Sequence, residues 1–124
     1  MDHLVYLLSP YSHTAPSVRM ERFHAATRFT ARAMAEGWNV FSPIVHSHAV
    51  SAYLDSDNAT DHDFWLPRCR WHLDRCTHAW ALRLSEWERS VGMTWELDRL
   101  RARGVHTQHF ALDDYIPPGP FCAK

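Results

Sequence analysis

The run Leu4-Val5-Tyr6-Leu7-Leu8, cut off by Ser9-Pro10, constrains this chain more than any other feature. Five apolar residues in a row, without polar alternation, leave neither face of a strand for water. The run therefore reads as a strand buried on both faces, as in a parallel sheet. Parallel strands need crossover connections, and helical patterns follow the strands in turn. After a polar loop from Tyr11 to Ala15, Pro16 opens a helix rich in Ala, Arg, Met and Glu. Its apolar positions are Met20, Phe23, Ala26, Ala33 and Met34, and Gly37 is its stop. Trp38 to Phe41 is extended and ends at Ser42-Pro43, just as the first strand ends at Ser9-Pro10.

Residues 44–54 predict a short helix, SDNAT after it a turn, and residues 61–75 a further helix in which Pro67 marks either a start or a kink. Ala79 to Leu84 is the third strand, residues 91–103 the last helix, closed by Gly104, and Val105 to Phe110 the fourth strand. Residues 111–124 form a Pro-rich tail expected to lack regular structure. Strand and helix alternate throughout, which is the α/β signature. At 124 residues the chain is expected to be one domain, residues 1–124, around a single core.

Composition narrows the function classes. A formal net charge of −1 gives no electrostatic pull toward a nucleic acid polymer or an acidic membrane surface. Cys69, Cys76 and Cys122 are odd in number and contain no C-x-x-C pair, unlike a disulfide framework or a zinc site. The N-terminal apolar run is too short for a secretory leader or a membrane span, so a cytoplasmic location is expected. His46-Ser47-His48 could chelate, but no third ligand stands nearby in sequence, so no metal is expected. His46 or His48 is expected to line a pocket instead. Neither G-x-G-x-x-G nor G-x-x-x-x-G-K-[ST] occurs, and no cofactor is expected.

In an open parallel sheet, ligands sit beyond the C-terminal strand ends. Ser9-Pro10-Tyr11, Ser42-Pro43 and Ser90-Val91-Gly92 all follow strands, so three loops should converge on one edge. Ser90 suits an N-cap, and Gly92 lets a ligand approach the backbone. Glu96 lies four residues after Gly92 on the same helix face, about 60° from the centre of the Met93, Leu97 and Leu100 stripe by the helical period. A carboxylate beneath a gap suits nucleophilic attack at an anomeric carbon. By spacing alone, a solvated helix glutamate stays open as the alternative.

YLLSPYSH, GWNVFSPIVHSH and SEWERSVGMTWELDRLRARG, in that order over about residues 3–110, resemble the nucleoside 2-deoxyribosyltransferase-like family, and within it a small bacterial and phage branch. The resemblance implies a flavodoxin/Rossmann-like three-layer sandwich with a mostly parallel sheet of about four to five strands. It implies cleavage or transfer at the N-glycosidic bond of a nucleoside or nucleoside monophosphate. Glu96 would be the nucleophile, Tyr6 would orient it, and Ser90 and Gly92 would meet the sugar or its 5′-phosphate. The loop Ser9, Pro10, Tyr11, Ser12 and His13, with Arg19 and Arg22, would close on sugar and phosphate, and His46 would lie over the base. A homodimer or larger assembly is implied as well. Two positions depart. Thr77 stands where the family is usually acidic. Cys69 stands where the family carries an aspartate that assists the leaving base, which leaves Asp74 or His72 as substitutes, a register broken at Pro67, or a binding module without strong catalysis.

Overall fold

A computed structural model describes residues 2–54 and 62–121. The expected SDNAT turn and Cys122 lie outside the described residues. Among the described residues, four strands are connected by four α-helices: β1 (Val5–Leu8), α1 (Pro16–Ala35), β2 (Val40–Phe41), α2 (Pro43–Ser51), α3 (His62–Leu73), β3 (His78–Leu82), α4 (Val91–Arg103) and β4 (Thr107–Phe110). The strands form one all-parallel sheet in the order β2-β1-β3-β4. This is the mixed α/β, flavodoxin/Rossmann-like architecture.

The apolar run of β1 explains the layering. Val5 and Leu7 join one core cluster with Phe29 and Ala33 of α1, Trp80, Leu82 and Phe110. Tyr6 and Leu8 point the other way and join a second cluster with Cys69 and Leu73 of α3 and Met93 and Leu100 of α4. All four β1 residues are fully buried, as a two-sided strand must be. The chain passes from β1 outward to β2, then back across β1 to β3. With crossovers of one hand, that reversal puts α1 on one face and α3 and α4 on the other. It also opens a crevice beyond the C-terminal ends of β1 and β3, where the winding direction switches.

Pro67 sits inside α3, so the helix neither waits for it nor starts there. Cys69 and Cys76 are buried, free and packed against the sheet, as small apolar residues do. The tail is irregular yet docked. Ile116 is buried in the first cluster, Trp38 Nε1 donates to the Pro117 carbonyl at 2.7 Å, and the Gly119 and Phe121 amides donate to the Glu36 and Gly37 carbonyls at 2.7 and 2.8 Å. Among the described residues, no helix is long and apolar enough to cross a membrane.

Candidate functional site

Two serine-capped helices aim their N-terminal ends at the switch-point crevice. Ser42 Oγ accepts the Val45 amide at 3.2 Å and starts α2, with Pro43 in the first turn. Ser90 Oγ accepts the Met93 amide at 3.1 Å and starts α4. Each cap fixes where its helix begins, and so where the positive end of the helix dipole points. Between them lies a narrow cleft with about 520 Å³ of empty space, counted out to its open mouth. The β1 loop contributes Ser9, Tyr11 and Ser12, α2 contributes Pro43, Ile44 and Ser47, and α3 contributes Trp65, Leu66 and Cys69. Ser90, Gly92 and Glu96 complete the wall. The three strand-end loops do converge.

Glu96 is more deeply placed than the helical period predicts. One turn from Met93 and one from Leu100, both fully buried, it is only 7% exposed. The fully buried Tyr6 hydroxyl donates to Glu96 Oε2. Burial pushes the Glu96 carboxyl up to about 8, and the Tyr6 hydrogen bond opposes that rise only in part. Tyr6 is itself driven well above the usual phenol range, by burial first and then by Glu96. Cys69 completes the cluster, its thiol pushed up to about 12 by burial and by the neighbouring carboxylate. Ser9 Oγ, on the same wall, is buried without a hydrogen-bond partner. A buried hydroxyl left unpaired at the edge of a cleft is a group that a ligand can satisfy.

Several expected site residues do different work. Asp74 is not brought to the cleft: Arg99 grips it with two hydrogen bonds, at 2.6 and 2.8 Å, and holds its carboxyl below the usual range. His72 does not substitute either, because its ring stacks on Phe41 at 3.7 Å. His46 is exposed beside Phe41, at 6.0 Å between ring centres, and does not line the cleft. Pro10 is fully buried behind the loop it shapes. Arg22, 8% exposed, donates to the carbonyls of Ser12 at 3.0 Å, Ser85 at 3.1 Å and Tyr11 at 3.4 Å. It thereby ties the loop after β1 to the loop after β3. Arg19 donates to the His13 carbonyl, and His13 and Arg22 face a neighbouring groove rather than the cleft. The arginines position the loops and do not enter the cavity.

Trp87 staples its loop, with its ring 5.5 Å from His109. Trp65, Leu66, Ile44 and Ser47 are wall residues that sequence reading passed over, since nothing in their spacing separates cavity wall from core. Tyr11 is held from outside by His48, its hydroxyl 2.6 Å from Nδ1, and His48 stacks on Phe23 at 4.0 Å. Among the described residues, no group of three or more His, Cys, Asp or Glu side chains is placed to hold a metal ion. Comparison with curated proteins gives no match. Residues 3–111, which carry the whole sheet and every wall residue of the cleft, match the family described as a domain of unknown function, DUF1937, and the chain belongs to that family.

Proposed function

We propose that the protein cleaves or transfers the N-glycosidic bond of a nucleoside or nucleoside monophosphate through a covalent intermediate on Glu96. The observation that carries this reading is a buried carboxyl in a cleft at the switch point, held on one oxygen by a buried tyrosine. With Tyr6 fixed on Oε2, the other carboxylate oxygen is oriented for attack at the anomeric carbon. The attack forms a glycosyl ester on Glu96, and water or an acceptor base then resolves it. The unpaired Ser9 hydroxyl and the α4 amides around Gly92 suit sugar hydroxyls or a phosphate. The family resemblance in YLLSPYSH and SVGMTWE supports the same assignment.

Purified protein offered a panel of nucleosides and monophosphates should release free base, and Glu96→Ala should abolish that release while its circular dichroism stays native. Unchanged turnover in this variant rules the mechanism out. Cys69 favours a second reading, a nucleotide-binding module, because its thiol is too weak an acid to protonate a departing base near neutral pH. A ligand-induced melting shift without base release is the result that this reading expects.

A further inference from the structure

The wall that faces Glu96 is short of acid and rich in apolar and aromatic surface. Among the described residues, Glu96 is the one carboxylate lining the cleft, and no Lys, Arg or His lines it. Asp74 is locked to Arg99, His72 is stacked on Phe41, and the position opposite the nucleophile is the neutral Cys69 thiol among Trp65, Leu66 and Ile44. A neutral base leaving a sugar needs a proton, and a positioned acid that supplies it contributes about 10²–10⁴ in rate. Among the described residues, this wall offers no strong one. It does offer a carboxyl that can ionise and the rings of Tyr11 and Trp65, which together suit a cation.

Resting on the glycosidic reading above, we propose that the cleft takes N-glycosides of a quaternised heteroaromatic base, which departs as a neutral molecule. A Glu96 carboxylate oxygen forms a bond to the anomeric carbon as the carbon–nitrogen bond breaks. The electron pair of the broken bond returns to the ring nitrogen and cancels its charge. Cation and carboxylate become a neutral ester and a neutral base, with no proton moved. Water then attacks the anomeric carbon, releases the sugar and one proton, and restores the Glu96 carboxylate. A bound cation also favours the ionised form of Glu96, so substrate binding arms the nucleophile.

The test compares kcat/KM for two charged substrates, the riboside and 2-deoxyriboside of nicotinamide, with that for inosine and 2′-deoxyinosine. The charged pair should be cleaved at least about 100-fold more efficiently, the share that a missing acid withholds from a neutral base. Cys69→Asp should narrow the gap by raising cleavage of the neutral pair. Should that variant fail to fold, the wild-type comparison decides alone. Equal or faster cleavage of the neutral nucleosides overturns the inference and leaves the glycosidic reading standing. Release of base from neither pair overturns both.

Discussion

Glu96 carries a cost that its position makes measurable. A buried carboxyl raised to about 8 is protonated in the folded protein at pH values where the unfolded chain, with an ordinary carboxyl, is already ionised. Between those two pKa values the folded state binds more protons, so stability falls as pH rises from about 4.5 to about 8. Each unit of such a rise is worth about 1.4 kcal/mol. Glu96→Gln removes the titrating group while keeping its shape and an acceptor for Tyr6. Its melting temperature should match wild type near pH 5 and exceed it increasingly up to pH 8, while base release is lost. Parallel melting curves at every pH would contradict the assigned burial. In wild type, kcat/KM should climb with pH through about 8, because attack needs the carboxylate. In sequence, Gly92 and the helical period left a solvated glutamate open, and it was the family resemblance that singled out Glu96. Its depth was not legible there, because that depends on how α4 seats Met93 and Leu100 against the sheet.

At the scale of elements, strand and helix types were readable because each carries its own period and its own stop. Ser9-Pro10, Ser42-Pro43 and Gly104 end or begin elements through backbone chemistry that needs no tertiary partner. The roles of the arginines were not readable, since a basic residue after a strand can meet a phosphate or a carbonyl with equal ease. Arg22 meets carbonyls, and its planar fork serves loops from two different crossovers. Lysine keeps the charge but cannot span both. Arg22→Lys should therefore raise KM several-fold with a smaller change in kcat, by loosening the Ser12 and Ser85 loops. It should cost about 1–3 kcal/mol in stability from carbonyls left unpaired. Urea denaturation and steady-state kinetics together check this, and a variant with wild-type KM would show that Arg22 holds nothing the substrate uses. Glu86, in the left-handed region at φ 64° and within 3.7 Å of Arg22, shows that this junction holds its shape under backbone strain.

The whole molecule divides its labour between the two edges of the sheet. The cleft occupies the C-terminal edge, with the unpaired Ser9 hydroxyl and the buried Glu96 carboxyl on its wall. The opposite edge takes the docked tail. There the tail crosses the end of α1, Arg32 donates to the Leu112 and Asp114 carbonyls at 2.7 and 2.6 Å, and Ile116 enters the core. Composition marked the tail as irregular, and its described part, residues 111–121, is, but Pro-rich segments pack through single anchors that no periodicity reveals. Gly119 is the closest of these approaches. A Cβ there would stand 2.6 Å from the Gly37 carbonyl oxygen and 2.8 Å from the Trp38 ring. Gly37 itself turns at φ 98°, so its carbonyl is fixed by a conformation that other residues resist. Neither neighbour can yield cheaply, and Gly119→Ala should lift the tail and expose Ile116. The expected cost is about 1–3 kcal/mol, as for other overpacked sites, read as a lower urea midpoint. Base release per folded molecule should stay unchanged, because the strain enters at the edge remote from Glu96. A matching loss of kcat in this variant would mean that the two edges are coupled through β1, whose Tyr6 packs in one face of the core and donates the hydrogen bond to Glu96 at once.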